Sequence, residues 1–267
     1  MSKASPIQIF SFGYYGWGNS TEQLVKAVDA VERARGFRAP IFADVRIRRQ
    51  GRAVGFVGTA FEDLLGQKRH RWLPKLGNRQ IVSRSGPRIQ IAEPEAADDL
   101  LDLALEANED GRRVIFFCGC EFPKENGVIS CHRHAVARLL LKAAARRGEN
   151  IEVVEWPGGV PQHVELETTP TILRAVGKGR MTIPVGDQLP LAVVAGLPWG
   201  STATLSADGE RLHRLVGPAK WKDGEWCLPV AWWYWTDPAA SLAEYERHAG
   251  KSRRLFGMEP SRSTTKG

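Results

Sequence analysis

The sequence predicts an α/β fold: a doubly wound, mostly parallel sheet with an appended β-rich C-terminal module. Over residues 7–155, short apolar runs alternate with longer amphipathic segments, which is typical of parallel strands covered by helices. After the glycine pair at 158–159, the runs shorten and turn signals become frequent. We therefore expect a Rossmann-like α/β domain over residues 1–159, a β-rich, tryptophan-rich module over 160–257 and a disordered tail over 258–267.

The α/β domain contains four apolar runs that predict strands and four amphipathic segments that predict helices. The predicted strands cover residues 7–12, 41–45, 114–117 and 151–154. The predicted helices cover residues 19–36, 59–65, 94–108 and 131–147, and residues 71–78 are expected to form a loop. In an open α/β sheet, ligands bind where the strands end and lead into helices. The residues that follow the strands are therefore the candidates for a functional site.

Residues 163–235 show the pattern of the β-rich module. Two Asp-Gly pairs, at 208–209 and 223–224, are typical of tight hairpin turns. Six of the nine tryptophans lie in this region, three of them in the aromatic row at 231–235. Side chains alternate along a strand, so one face of that row would either stack on a ligand or pack on the α/β domain. Residues 238–248 are expected to form a closing helix.

Composition favours a cytoplasmic protein without a membrane partner. The apolar runs stop well short of the ~20 residues that a membrane span needs. The N-terminus lacks the apolar region of a secretory signal. The four cysteines form a cluster of three plus Cys227, which is not a disulfide framework.

The chain is basic, with a formal charge of +7 and a pI of about 9.4, which favours an anionic partner. Residues 46–88 hold eleven lysines and arginines against two acidic residues, a local excess of +9. We interpret this segment as a surface for a phosphate backbone, with DNA as the expected partner and RNA as the second choice. The alternative is a solvated basic face. The residues expected to bind nucleic acid are Arg48, Arg49, Arg52, Lys68, Arg69, Arg71 and Lys75.

Three of the cysteines flank the loop between the third predicted strand and its helix. A candidate set of four zinc ligands is Cys118, Cys120, Cys131 and His134. A thiol at a strand end is also a common core residue, which is the alternative for Cys118. At the start of a helix, Cys131 would be a reactive thiolate. With His132 and Arg133, it would then form a cradle for the substrate's negative charge.

Two carboxylates are placed for acid–base chemistry, because Asp44 and Glu121 each follow a predicted strand. Adjacent parallel strands would bring them to one crevice, where Arg46 would contact the substrate. Alternatively, Asp44 forms an ion pair with Arg46 or Arg133 and only fastens the loops. The aromatic residues expected to stack on a base are Tyr14, Tyr15 and Trp17.

Five short blocks occur in the order seen in a bacterial protein family. They are F-S-F-G-Y-Y-G at residues 10–16, F-A-D-V-R at 42–46, L-P-K-L-G at 73–77, F-C-G-C-E at 117–121 and S-C-H-R at 130–133. Over residues 7–155, the chain resembles the family called domain of unknown function number four hundred and eighty-eight. It departs from that pattern at Tyr14, and its loop between Cys120 and Cys131 is longer. The resemblance implies a compact α/β fold with one pocket made from these blocks.

These features predict an enzyme that acts on nucleic acid, a hydrolase similar to a DNA glycosylase in repair or defence. Its pocket would take a flipped base and cleave the N-glycosidic bond, with Asp44 and Glu121 as the catalytic pair and no cofactor. The first alternative is a zinc- or thiol-dependent protein that binds a small anionic ligand. The second is a nucleic-acid-binding module without catalysis.

Overall fold

The computed structural model describes residues 5–51, 53–120, 131–179 and 181–230 of the chain. Several predicted features lie outside these ranges. They are the nucleic-acid contact at Arg52, the catalytic Glu121, the aromatic row at 231–235, the closing helix at 238–248 and the tail at 258–267.

Five strands form an all-parallel sheet, which confirms the predicted fold class. They are β1 (Ile7–Gly13), β2 (Ile41–Asp44), β3 (His70–Trp72), β4 (Val114–Cys118) and β5 (Ile151–Glu155), in the spatial order β3-β2-β4-β1-β5. The central strand β4 lies between β1 and β2. The register places Cys118 beside Gly13 and Phe117 beside Asp44, so three strands end together at the carboxyl edge of the sheet.

Helices cover both faces of this sheet. They are α1 (Thr21–Ala34), α2 (Ala60–Leu65), α4 (Ala97–Glu109) and α5 (His132–Arg147), whereas the short helix α3 (Gln80–Ser83) has no buried residue. On one face, α1 and α2 pack on an aromatic layer that contains Phe10, Phe42 and Phe117. On the other face, α4 and α5 pack on Ile9 and Phe116. No helix in the described ranges is long and apolar enough to cross a lipid bilayer.

The helices that follow β4 and its neighbouring strands lie on opposite faces of the sheet, and this determines where a ligand can bind. β4 leads into α5 on one face, whereas its neighbours β1 and β2 lead into α1 and α2 on the opposite face. Connections that leave in opposite directions open a crevice at the carboxyl ends of the strands. The end of β4 is therefore the position at which this topology favours a site.

The β-rich region that follows contains two three-stranded sheets and two short helices. Its elements are β6 (His163–Glu167), α6 (Pro170–Gly177), β7 (Thr182–Pro184), α7 (Leu191–Ala195), β8 (Ser201–Ala207), β9 (Glu210–Val216), β10 (Lys220–Lys222) and β11 (Glu225–Pro229). The sheets have the orders β6-β8-β9 and β10-β11-β7. At each Asp-Gly pair, 208–209 and 223–224, both residues have positive φ, as a tight hairpin turn requires. Both predicted hairpins are confirmed.

The β-rich region packs on the α/β region. The rings of Trp17 and Trp226 meet edge to face, with centroids 6.3 Å apart. The ammonium of Lys220 donates to the carbonyl oxygen of Tyr15 at 3.2 Å, and α7 lies against α1. Trp226 therefore belongs to the contact between the two regions.

The structure adds elements that the sequence patterns did not predict, among them the short helix α3. Residues 71–78 were expected to form a loop, but His70–Trp72 is an edge strand that pairs with β2. Three residues are too few to show an alternating pattern. The helices α6 and α7 were also not predicted. For α6 a signal existed: the Thr169 hydroxyl caps the helix by accepting from the backbone N–H of Ile172 at 3.3 Å, and Pro170 follows at the first helical position.

Gly77 is required by a close approach between two loops at the carboxyl edge. A Cβ at this position would overlap the backbone nitrogen and Cα of Ile47. We expect Gly77→Ala to lower the free energy of unfolding by about 1–3 kcal/mol, because the two loops must move apart. Urea denaturation measures this change.

The matched control is Gly177→Ala at the end of α6, where an added Cβ would meet no atom within 4 Å. Its effect should stay within about 1 kcal/mol and favour the folded state, because alanine is the better helix residue. Equal losses in the two variants would show that the 47–77 contact does not constrain the fold.

Candidate metal centre at the carboxyl edge of the sheet

Three cysteines meet at the crevice beside β4. Cys118 is the last residue of β4, Cys120 follows it after one glycine, and Cys131 is the N-cap residue of α5. Gly119 passes the Tyr14 hydroxyl so closely that an added Cβ would lie 3.0 Å from its oxygen. The strand end and the helix start therefore bring thiols from both sides of the connecting segment to one point.

The three sulfur atoms all lie within 4.8 Å of one another. The Sγ atoms of Cys118 and Cys131 are 3.4 Å apart, and the backbone N–H of Cys120 donates to the Cys118 sulfur at 3.4 Å. All three cysteines are free thiols. Cys118 and Cys131 are buried, whereas Cys120 is exposed, so the cluster is open on one side.

This spacing fits a tetrahedral zinc ion. Zn–S bonds of about 2.3 Å at tetrahedral angles place two sulfur ligands about 3.8 Å apart. The 3.4 Å separation of Cys118 and Cys131 needs only a small adjustment to reach that value. Of the predicted four-ligand set, the three sulfurs come together, but in the described part of the chain His134 is not a member of the group. The prediction is therefore corrected to a three-cysteine set.

The electrostatics of the cluster favour one thiolate, on Cys131. Hydrogen bonds from the Cys118 and Cys120 thiols hold the pKa of Cys131 below its usual range, and the charge of Arg133 acts in the same direction. Burial raises the pKa of the Cys118 thiol well above its usual value. The negative charge thus lies at the start of α5, where the helix dipole stabilises it.

The two histidines that follow Cys131 serve the fold around the cluster. The Nε2 atom of His132 lies 2.9 Å from the carbonyl oxygen of Val45, which ties α5 to the end of β2. His134 is fully buried, and burial lowers its pKa to about 4, so its ring is neutral at pH 7. His132 was predicted to contact a substrate, but in the structure it holds the helix against the neighbouring strand.

Arg133 is fully buried behind the sulfurs and holds α5 on the sheet. Its Nη1 atom donates to both carboxylate oxygens of Glu155, at 2.7 and 2.9 Å, and to the Ser11 hydroxyl at 2.9 Å. Its Nη2 atom donates to the carbonyl oxygen of Cys120 at 3.3 Å. The predicted role of Arg133 in an open anion cradle is therefore corrected to a positioning role.

Glu155 and Ser11 are the partners that sequence reasoning missed. Glu155 ends β5 and pairs in register with Ser11 on β1. A signal for Glu155 was available, because its position at the carboxyl end of a parallel strand is shared by Asp44. Ser11 carried none, since it lies inside an apolar strand.

Asp44 is also committed to a buried ion pair. Its carboxylate is nearly inaccessible and accepts from Arg46 Nε at 2.8 Å and from Nη2 at 2.6 Å. Nη1 of Arg46 donates in turn to the Tyr14 hydroxyl at 2.9 Å. The alternative in which Asp44 pairs with Arg46 and fastens the loops agrees with these contacts. Neither Asp44 as a free acid or base nor Arg46 as a substrate contact agrees with this burial.

Two of the three predicted stacking aromatics are core residues. The Tyr14 ring is buried and lies parallel to Phe56, with centroids 4.0 Å apart. Trp17 is 3% exposed and packs on Trp226. Tyr15 exposes 60% of its surface and remains available to a ligand. The stacking roles of Tyr14 and Trp17 are therefore wrong, because each ring is covered by protein.

The predicted basic surface is divided by ion pairs. Three of its residues are neutralised: Arg49 by Glu62 at 2.7 Å, Arg69 by Asp29 at 2.5 Å and Lys75 by Glu93 at 3.0 Å. Arg48, Lys68 and Arg71 are exposed. The prediction that all of these residues form one nucleic-acid surface is thus corrected for the paired members.

The burial of the Asp44–Arg46 pair predicts a large effect on stability. In Asp44→Asn the guanidinium of Arg46 stays buried without its counter-charge. We expect the free energy of unfolding to fall by about 3–5 kcal/mol. Thermal and urea unfolding of the variant measure the loss.

Asp98→Asn is the control, because Asp98 pairs with Arg146 on the surface, where the arginine side chain is 63% exposed. Its cost should be about 0–1 kcal/mol. A cost for Asp44→Asn no larger than this would contradict the fastening role.

Comparison with protein-family models, curated proteins and solved structures finds no match to this chain. The resemblance to the bacterial family therefore stays a prediction. The geometry of the three-cysteine centre is the observation on which a functional conclusion can rest.

Proposed function

We propose that this chain is a zinc protein, in which Cys118, Cys120 and Cys131 bind one Zn²⁺ and a small anionic ligand takes the fourth position. The observation that carries this proposal is the convergence of three sulfur atoms within 4.8 Å of one another. Thiolates are soft ligands that suit zinc, whereas magnesium and calcium prefer oxygen. The crevice beside β4 is also where this sheet topology favours a ligand.

The fourth position supports binding of a small anion. Three protein ligands leave one site of a tetrahedral zinc ion open, as in zinc centres that exchange a bound molecule. Cys131 precedes α5 directly, so the positive end of a helix of 16 residues faces the centre. The guanidinium of Arg133 lies behind the sulfurs, where Glu155 balances its charge. The open position and the start of α5 are therefore the features that support a small anion as the fourth ligand.

The hydrolysis of an N-glycosidic bond has less support from the described residues. That mechanism needs two carboxylates that are free to exchange protons. Asp44 uses both oxygens on Arg46, and Glu121 lies outside the described residues. Two of the three proposed stacking rings are buried. The glycosylase hypothesis stays a prediction, and the metal centre is the proposal that the geometry favours.

Metal analysis of the protein purified under reducing conditions tests the zinc proposal. We expect close to one equivalent of zinc per chain and most of it to be lost in Cys118→Ser, Cys120→Ser and Cys131→Ser. Cobalt substitution should give thiolate-to-metal charge-transfer bands and intense visible bands, because tetrahedral sulfur coordination produces both. Of the three variants, Cys120→Ser should disturb the fold least, since this residue is exposed.

Cys227→Ser is the matched control, because Cys227 is buried in the β-rich region outside the cluster. It should keep the zinc and the cobalt spectrum. Wild-type protein that neither carries zinc nor takes up cobalt would overturn the proposal. Loss of zinc in Cys227→Ser equal to that in Cys120→Ser would do the same.

The anionic ligand is tested separately with inorganic phosphate and acetate. Added to the cobalt-loaded protein, either anion should shift the visible bands if it enters the open position. A spectrum that neither anion changes would remove the anion from the proposal and leave the zinc centre in place.

A further inference from the structure

We propose that the chain binds single-stranded nucleic acid through a surface that combines Arg48, Arg71 and Trp72 with a basic arm formed by residues 79–90. This surface includes none of the three cysteines and does not depend on the zinc proposal. In the basic segment, the structure shows which cations have no carboxylate partner among the described residues and can therefore contact phosphates. It also shows that the ring of Trp72, which the sequence placed in a loop, is exposed on an edge strand.

The charge of this part of the chain is of one sign. Residues 64–92 contain seven lysines and arginines and no aspartate or glutamate. The structure removes two of the seven, because Arg69 pairs with Asp29 and Lys75 with Glu93. Lys68 precedes the amino end of β3, whereas Trp72 is the last residue of that strand, so Lys68 is not counted as part of the surface. The remaining four are Arg71, Arg79, Arg84 and Arg88.

These four residues and Arg48 are exposed cations. In the described ranges, no carboxylate lies within 4.0 Å of their charged groups. Arg71 donates to the carbonyl oxygens of Gln67 and His70, which fixes its guanidinium without neutralising it. Cations held this way can replace the counterions of a phosphate backbone.

Trp72 supplies a fixed aromatic ring on the same edge strand as Arg71. Its indole N–H donates to the carbonyl oxygen of Arg46 at 2.9 Å. The guanidinium of Arg49 lies 4.4 Å from the ring centroid. The residue is nonetheless 44% exposed. A ring that is held in place and open to solvent is suited to stack on an unpaired base.

The basic arm is held firmly at its base by Asn78. The side-chain amide of Asn78 donates to the carbonyl oxygen of Arg88 at 2.9 Å and accepts from the backbone N–H of Gln90 at 2.9 Å. In the part of the arm between these hydrogen bonds, Ile81 is 58% exposed and Val82 is 43% exposed. Exposed apolar side chains between cations suit a partner that offers both phosphates and base faces.

Single strands fit this combination better than a duplex does. One exposed ring at a sheet edge can stack only on a base that is not already paired, and such stacking is largely independent of sequence. The arm supplies three cations, the edge of β3 one and the loop after β2 a fifth, Arg48, for the phosphates of a bound strand. The inferred partner is therefore a single strand of DNA or RNA, bound without strong sequence preference.

Fluorescence anisotropy with a labelled oligothymidine strand tests this inference, with an oligouridine strand and a duplex of equal length as comparisons. We expect tighter binding to the single strands than to the duplex, and an affinity that falls as salt increases. In Arg79→Gln/Arg84→Gln/Arg88→Gln, the slope of log affinity against log salt should become shallower by about 2, because three phosphate contacts are lost. The affinity itself should fall by roughly tenfold or more.

Two further variants separate charge from stacking. Trp72→Leu should weaken single-strand binding by at least roughly fivefold, whereas Trp72→Phe, which keeps a ring, should bind almost as wild type does. The control for charge is Arg174→Gln/Lys178→Gln/Lys222→Gln, three exposed cations of the β-rich region. This variant loses the same charge and should retain the wild-type affinity and salt slope.

Three outcomes would overturn the inference. The first is the absence of oligonucleotide binding by the folded wild-type protein at low salt. The second is an equal loss of affinity in the arm variant and in the control. The third is binding to vesicles that contain anionic lipid but not to oligonucleotides, which would assign the arm to a membrane surface. Cys120→Ser should bind oligonucleotides as wild type does, so a failed zinc test leaves this inference unaffected.

Discussion

The burial of Arg133 is the constraint on which the site depends. A fully buried guanidinium is stable only if a counter-charge balances it and its N–H groups form hydrogen bonds. Glu155 supplies the counter-charge to Arg133, and the Ser11 hydroxyl and the carbonyl of Cys120 accept further hydrogen bonds. These partners come from β5, from β1 and from the loop after β4. One side chain in the first turn of α5 therefore fixes the helix start relative to two strands and one loop. The sulfur of Cys131, two residues earlier, is placed against that of Cys118 as a result.

A second buried ion pair fixes the opposite side of the crevice. Asp44 and Arg46 join the end of β2 to the Tyr14 hydroxyl, and Tyr14 in turn lies against Gly119 between two of the cysteines. The strand ends on both sides of β4 are thus held by charged groups that neutralise each other. Asp44 and Glu155 serve here to shape the loops, and among the described residues of this edge the thiols are the reactive groups.

The sequence was enough to predict those features that depend on residues close together along the chain. Apolar periodicity was enough for four strands of the sheet, and the spacing of the cysteines around a strand and a helix indicated their convergence. What the sequence could not show was the choice of partners. Asp44 and Arg46 were named as separate functional residues because nothing local shows that they satisfy each other. Tyr14 and Trp17 looked like ligand platforms because Phe56 and Trp226, which cover them, are distant along the chain.

The contact between the two regions has a consequence for how the chain can be divided. The glycine pair at 158–159 looks like a boundary, and the sheets on its two sides share no strand. Yet Trp17 in the first loop and one side of α1 are covered by Trp226 and α7 from beyond that boundary. Cutting the chain there would strip this cover from both pieces and leave each with an uncovered apolar face. Trp17 belongs to the loop after β1, which lies beside the cysteines. That loop is therefore covered only once the β-rich region has been synthesised.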